Sequence, residues 1–409
     1  MGSERHPQTI AVIGAGTMGA GIAQVAASHG CAVCLIDINP EVLQRGLGGI
    51  KKNLDRLVEK GKLSLADREA VTSRIEPSDA IRETEKAELV IEAVIEDLAI
   101  KQGIFRQLDA ATQPETVLAT NTSSLSVSKI ADVVRDPSRV VGMHFFNPAP
   151  IMPLVEVIAG RVSARRAIDF AVQTAKAWGK TPVVAKDTPG FIVNRVARGY
   201  YLEALRLLGE GVAGVDEIDN IMRVHGGFKM GPFELMDLVG LDVNLAVSTS
   251  VWEQMNRHPR FTPHDIQQKL VAGGDLGRKT GRGFYSYADE HPLPAYAVER
   301  RSFQLSPLLG DAVRTFAERA GAGRAGITEQ YIVARVLGAI LNEAGYAFCE
   351  NVATRDDIDV AMMKGTNYPK GPLAWAEEIG HRTVRGLLRR LDENAGDGRY
   401  EPAAALAEC

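Results

Sequence analysis

"TIAVIGAGTMGAGIAQVAASHG" (residues 9–30) decides the fold. TIAVI (9–13) is a short apolar run of the kind a buried strand needs. It leads directly into Gly14-Ala15-Gly16-Thr17-Met18-Gly19, and helix formers follow as far as Gly30. G-x-G-x-x-G between a strand and a helix has a physical rationale at each glycine. The first permits the tight turn, the second lets the backbone approach a pyrophosphate, and the third lets the helix pack on the strand. The opened helix then presents N–H groups and a partial positive charge to the phosphates.

A second apolar run, AVCLID (32–37), ends on Asp37. A carboxylate about 20 residues beyond the first glycine is placed to bond the adenosine ribose hydroxyl. Ile38-Asn39-Pro40 supplies no arginine for a 2′-phosphate, so the expected cofactor is NAD rather than NADP.

Further strand-like runs follow at 88–94, 116–120, 139–145, 153–158 and 182–186, with helical stretches such as 97–111 and 163–177 between them. Apolar strands joined by helical crossovers predict a mostly parallel, doubly wound sheet. The pattern changes at KDTPGF (186–191), where Pro189-Gly190 marks a boundary. Beyond it, helical periodicity dominates. GPFELMDLVGLD (231–242) opens a helix with Pro232 near its start, and LGRKTGRGFY (276–285) closes this block.

A repeat organises the remainder. Residues 190–240 align without a gap to 330–380 at an offset of 140, with 16 of 51 positions identical. IVNRV (192–196) returns as IVARV (332–336), so Asn194 is replaced by Ala334. Glu203, Glu210, Asp216, Asp219, Gly231, Pro232 and Gly240 also recur. The recurrence of Ile, Val and Arg is read as shared helix geometry and packing. The expected organisation is a dinucleotide-binding domain over 1–187, a helical domain over 188–287, a linker over 288–324 and a degenerate second helical copy over 325–409.

Composition excludes several classes. The net charge of −4 gives no basic footprint for nucleic acid. No apolar run is as long as a membrane span, and MGSERHPQ is no secretory signal. Met1-Gly2-Ser3 lacks the Ser or Thr at position 6 that myristoylation prefers. Cys31 and Cys34 form a CxxC inside a predicted strand, without a second pair or a nearby His, so no metal is expected; Cys349 and Cys409 complete a reduced thiol set. These readings favour a cytoplasmic protein.

Three segments carry polar groups suited to chemistry. LATNTSSL (118–125) puts Asn121, Ser123 and Ser124 at a strand's carboxyl end, where ligands bind in an open α/β sheet. GMHFFNP (142–148) brings His144 to the same edge. LVEVI (154–158) buries Glu156 among apolar residues, and a charge there needs a partner. An imidazole beside a carboxylate is oriented and favoured in its charged form. Taken singly, each has an ordinary explanation: a packed histidine, an edge glutamate, helix-capping serines.

Together, GAGTMGAGIA, NTSSL, HFFNP, LVEVI, KDTPGFIVNR, GPFELMDLVGLD and GRKTGRGFY, in this order and spacing over residues 8–287, resemble the L-3-hydroxyacyl-CoA dehydrogenase family. The resemblance implies a Rossmann-like NAD-binding domain followed by two tandem all-α domains of the family's C-terminal type. It implies reversible, NAD-dependent oxidation of (S)-3-hydroxyacyl-CoA to 3-ketoacyl-CoA, as in fatty-acid β-oxidation. His144 would be the general base, Glu156 its partner, and Ser123 and Asn194 the groups on the substrate oxygen. Glu96, Lys101, Asn121 and Lys279 would contact NAD. The CoA-binding pair falls on Asn53 and Lys60; Asn53 stands where the family has Ser.

Two other functions compete. A relative oxidising a free sugar acid such as L-gulonate would share the NAD domain and the His–Glu pair, but Lys60 and its helix favour CoA. A non-catalytic NAD-binding protein would not need the full Ser123/His144/Glu156/Asn194 set. Single-copy members of the family dimerise through the helical domain. The second copy is therefore expected to dock on the first as an internal pseudo-dimer, with dimerisation of the whole chain left open.

Overall fold

The computed structural model describes residues 6–302 and 304–406. Residues 1–5, with the Met1-Gly2-Ser3 reading, and Phe303, Ala407, Glu408 and Cys409 lie outside the described residues. The chain divides into two compact units, Met1–Phe191 and Ile192–Cys409.

The first unit is built on eight strands: β1 (Thr9–Ile13), β2 (Ala32–Ile36), β3 (Ile75–Ser78), β4 (Leu89–Glu92), β5 (Val117–Thr120), β6 (Val140–Phe145), β7 (Leu154–Ala159) and β8 (Thr181–Lys186). They form one sheet in the order β3-β2-β1-β4-β5-β6-β7-β8. Pairing is parallel from β3 to β6, antiparallel between β6 and β7, and parallel again between β7 and β8. The helices are α1 (Thr17–Ser28), α2 (Pro40–Glu59), α3 (Leu65–Ser73), α4 (Leu98–Ala111), α5 (Val127–Ala131) and α6 (Arg165–Ala177).

Ile10, Val12, Leu89, Val90, Ile91, Val140 and Val141 are fully buried. Each such side chain is worth roughly 1.5–3 kcal/mol relative to exposure, which is why the apolar runs form the central strands. β3 was not anticipated. Its sequence, IEPS, has no apolar run and carries Pro77, which an edge strand tolerates because one side of its backbone needs no partner. Pro40 opens α2, and Asn39 caps it by accepting from the N–H groups of Glu41 and Val42. Of the CxxC pair, Cys31 is buried and bonds the Pro7 carbonyl, while Cys34 is half-buried on β2. Burial pushes both thiols up, Cys34 to about 11.

The second unit is helical: α7 (Val193–Val196), α8 (Arg198–Gly209), α9 (Val215–Val224), α10 (Pro232–Val239), α11 (Leu241–Gln254), α12 (Asp265–Ala272), α13 (Pro307–Arg319), α14 (Ile327–Cys349), α15 (Arg355–Gly365), α16 (Pro372–Ile379) and α17 (His381–Ala395). The two copies share devices as well as letters. The Asp219 carboxylate accepts the N–H groups of Phe233 and Glu234 at the start of α10. Asp359 does the same for Leu373 and Ala374 at α16. A Cβ on Gly231 or Gly371 would lie 2.3 Å from that aspartate's side chain, so each copy needs a glycine there. Gly240 and Gly380 break the chain at φ 101° and 92° between paired helices, a conformation suited to glycine.

α8 packs along α14. Arg195 donates to Glu343 and Glu350, both at 2.6 Å, while Arg335 donates to Glu203 at 3.0 Å and also to Glu210. The two sets are related by the repeat offset. The recurring arginine and glutamates therefore join one copy to the other, a role that shared helix geometry alone did not predict. Part of the expected linker is also ordered structure. α13 packs on α14 and α17 and buries Val313 and Phe316, and Arg300 pairs with Glu217 of α9.

α14 is long and apolar enough, by length and composition alone, to cross a membrane. Arg335 and Glu343 interrupt the apolar run, so its length is not legible in the sequence. Most of the helix is buried inside the unit, with both charges paired.

Candidate active site

The carboxyl ends of β1, β4, β5 and β6 assemble the site in the first unit. The glycine turn follows β1. Gly14 has φ +99°, and a Cβ on it would sit 2.8 Å from the Ala93 carbonyl oxygen. A Cβ on Gly19 would lie 1.7 Å from the Gly14 carbonyl oxygen, so α1 can approach the turn only as glycine. A Cβ on Gly16 meets nothing within 4 Å: this position faces open space. No side chain caps α1, whose first residues, Thr17 and Met18, are exposed and half-buried. Asp37, just beyond β2, accepts the Ala15 N–H at 2.8 Å and the Asn39 N–H at 2.9 Å. Its carboxylate thus braces the glycine turn. An uncapped helix start, an open glycine and a carboxylate at this spacing fit a dinucleotide.

A cavity of about 460 Å³ lies between α1, α2 and the loop 147–150. Gly16, Thr17, Gly21, Gly46, Asn53 and Asn147 line it. Asn53 therefore borders an open pocket beside the glycine turn, and its amide donates to Gln24 at 3.4 Å. Lys60 is the exposed residue that ends α2.

His144 and Glu156 are direct register partners on β6 and β7. Nδ1 of the imidazole lies 2.7 Å from Oε2 of the carboxylate, with both side chains buried. The rings of Phe146 and Phe191 flank the imidazole, their centroids 4.5 and 6.0 Å from its own. The pair is legible in the sequence as two strands with polar interruptions. Its contact depends on the one antiparallel step in the sheet, which brings position 144 opposite 156.

Ser123 follows β5, the strand next to His144's. The Glu96 carboxylate holds its loop, accepting the N–H groups of Ser123 at 2.9 Å and Ser124 at 3.0 Å and the Thr122 hydroxyl at 2.7 Å. Burial alone would raise the Glu96 carboxyl. The Lys101 ammonium and these donors outweigh that and hold it below its ordinary range. Asn121 accepts the Phe145 N–H at 2.8 Å and so ties the loop to β6.

Lys101, expected to touch the cofactor, is only 1% exposed. Its ammonium bonds Glu92 at 2.7 Å and approaches Glu96 at 3.4 Å. Glu92 and Asp187 were not anticipated. Asp187 accepts from the N–H groups of Val127 and Ser128 and from the Ser126 hydroxyl, which fixes α5 behind the serine loop. Asn194 and Lys279 belong to the second unit. Asn194 is half-buried on α7, and Lys279 bonds both carboxylate oxygens of Asp242, at 2.5 and 2.7 Å.

Comparison with known proteins bears on the same segments. The model of the 3-hydroxyacyl-CoA dehydrogenase NAD-binding domain matches residues 9–188. The model of that family's C-terminal domain matches residues 190–287 and 331–409. The chain belongs to the 3-hydroxyacyl-CoA dehydrogenase family. Within this family it is 39% identical to 3-hydroxyadipyl-CoA dehydrogenase of Escherichia coli (strain K12), covering 98% of this chain and 97% of that one. It is 41% identical to 3-hydroxybutyryl-CoA dehydrogenase of Clostridioides difficile, covering 68% of this chain and 99% of the shorter one. A crystal structure described as 3-hydroxybutyryl-CoA dehydrogenase from Escherichia coli K12 superposes with a TM-score of 0.88 at 38% identity, covering 98% of each chain. The family's NAD-binding domain is the sheet that carries Gly14, Asp37, His144 and Glu156.

Proposed function

We propose that this chain oxidises (S)-3-hydroxyacyl-CoA to 3-ketoacyl-CoA with NAD⁺, reversibly. The observation that carries this reading is the buried His144–Glu156 pair at 2.7 Å. With Nδ1 engaged by the carboxylate, Nε2 is the ring atom that takes the proton of the 3-hydroxyl. Glu156 orients the ring and stabilises the imidazolium that results. Ser123 and Asn194 bond the substrate oxygen as it becomes a carbonyl and fix the geometry of the reacting carbon. NAD⁺, when bound, accepts the hydride from C3, so the two electrons leave with the hydride and the proton stays on His144. Asn53 beside the pocket and Lys60 at the end of α2 are assigned to the CoA moiety, and Lys279 to NAD.

The full-length matches carry names for different acyl groups, adipyl for the curated relative and butyryl for the solved structure. A panel of 3-hydroxyacyl-CoA substrates of both kinds, with L-gulonate alongside, tests the class by spectrophotometric NADH formation. Turnover on thioesters that vanishes in His144→Ala is the expected result. Equal rates in wild type and His144→Ala, or turnover on the free acid alone, would overturn the reading.

The second helical copy acts as an internal pseudo-dimer partner for the first, in the place a second subunit would take. The crosswise Arg195–Glu343 and Arg335–Glu203 pairs support this assignment. Sedimentation of the full chain tests whether it pairs further.

A further inference from the structure

Glu92 is fully buried at the end of β4. Its carboxylate accepts the Thr120 hydroxyl, the Val94 N–H and the Lys101 ammonium, each at 2.7 Å. Lys101 in turn reaches Glu96, whose other oxygen holds Ser123 and Ser124. Two carboxylates therefore share one ammonium, and the cluster carries one net negative charge. A buried charge of this kind is costly to retain, and an apolar core here would be cheaper.

We propose that Glu92 is a positioning residue that holds Lys101 and, through it, Glu96 and the Ser123 loop, and that the cluster's odd negative charge favours the oxidised cofactor over the reduced one. The inference rests on the dehydrogenase reading. In that reading Ser123 holds the substrate oxygen, and the adjacent carbon passes its hydride to the nicotinamide. The ring therefore lies beside the loop that Glu96 anchors. It carries a positive charge when oxidised and none when reduced. A fixed negative charge nearby stabilises the first state selectively, most strongly where water is excluded. Removing Glu92's charge leaves Lys101 to Glu96 alone, which draws Glu96 from the Ser123 and Ser124 N–H groups and cancels the net charge.

The test uses the full chain with Glu92→Gln, Lys101→Met and the double variant. Dissociation constants for NAD⁺ and NADH are measured by calorimetry, and kcat and KM with 3-hydroxybutyryl-CoA. Glu92→Gln is expected to weaken NAD⁺ binding by about tenfold while changing NADH binding much less, and to lower kcat. The double variant is expected to be no worse than the poorer single one, because both act through the same link. Equal weakening of NAD⁺ and NADH, or effects of the two substitutions that multiply, would overturn the proposal. Should Glu92→Gln fail to fold, Lys101→Met carries the test: it breaks the link but keeps both carboxylates, so NADH binding is expected to weaken more than NAD⁺ binding, and an equal loss of the two would overturn the proposal. If no thioester is turned over even by the wild type, the dehydrogenase reading fails, while the two binding constants still decide the role of Glu92.

Discussion

Arg195 and Glu343 stand 148 residues apart in the chain and meet at 2.6 Å inside the helical unit, with neither side chain more than 4% exposed. Their counterparts at the repeat offset, Arg335 and Glu203, make the same contact in the opposite sense. Deleting Arg195 leaves the buried Glu343 to Arg260 alone, at 2.8 Å, and Glu350 to solvent. Arg195→Ala is therefore expected to cost about 1.5–3 kcal/mol, read as a lower denaturation midpoint. Arg314→Ala removes the exposed pair with Asp311 on α13 and is expected to cost under about 1 kcal/mol. Comparable midpoints for the two variants would show that the crosswise pairs do not hold the copies together.

Two buried acids with opposite shifts contribute oppositely to the pH dependence of stability. Burial would raise the Glu203 carboxyl, but Arg335, Arg206 and the Tyr400 hydroxyl hold it at about 2, below its ordinary 4.5. Its contribution is complete above about 4.5 and is lost as pH falls toward 2. Asp219 is the reverse: burial pushes it to about 7, and the N–H groups of Phe233 and Glu234 and the Tyr285 hydroxyl offset only part of that. The folded state favours its protonated form, so stability declines as pH rises from its ordinary 3.8 to about 7 and is flat beyond. Asp237 and Asp359 are raised by burial as well, so thermal midpoints across this range should show a decline in the wild type that is shallower in Asp219→Asn. An unchanged slope in the variant would assign the decline to other groups.

The central strands were legible because fully buried runs such as TIAVI and RVVGMHF have few other uses, and the glycine turn because each glycine has a separate steric reason. β3 was not legible: four residues with a proline carry no periodic signal. The repeated Arg, Glu203 and Glu210 were visible as letters, but periodicity reports which face is buried and not what meets it. Glu92 was hidden for a related reason. Inside ELVIEAV it looks like a strand-end charge, and only the fold brings Lys101 and Thr120 to it.

His144 and Glu156 make a sharper demand. Glu156→Gln keeps the size of the side chain but removes the carboxylate acceptor that orients the ring and fixes its tautomer. The expected loss in kcat is roughly 10²–10⁴-fold, with little change in the KM for NAD⁺ or in thermal midpoint. A drop in stability matching the drop in activity would instead mark the pair as a packing feature.

Gly19→Ala tests the cofactor cradle. The added methyl would lie 1.7 Å from the Gly14 carbonyl oxygen, backbone that cannot yield without moving the turn. NAD⁺ affinity is expected to collapse, as read by calorimetry. Gly16→Ala adds a methyl where nothing lies within 4 Å, so it should leave the fold intact and weaken only the approach of the phosphates. Equal NAD⁺ binding by wild type and both variants would remove the turn from the cofactor site.

The position at which IVNRV and IVARV differ, Asn194 against Ala334, tests whether packing and chemistry make separate demands. Ala334 is fully buried within the unbroken α14, whereas Asn194 is half-buried on the short α7. Alanine is the better helix former, so Asn194→Ala is expected to leave the thermal midpoint unchanged or slightly higher. Loss of a hydrogen bond to the forming carbonyl should at the same time lower kcat/KM by roughly 10²–10³-fold. Ala334→Asn buries an amide in a packed helix and is expected to cost about 1–3 kcal/mol, without restoring turnover when combined with Asn194→Ala. Full activity in Asn194→Ala would remove that residue from the chemistry and leave the substrate oxygen to Ser123 and His144.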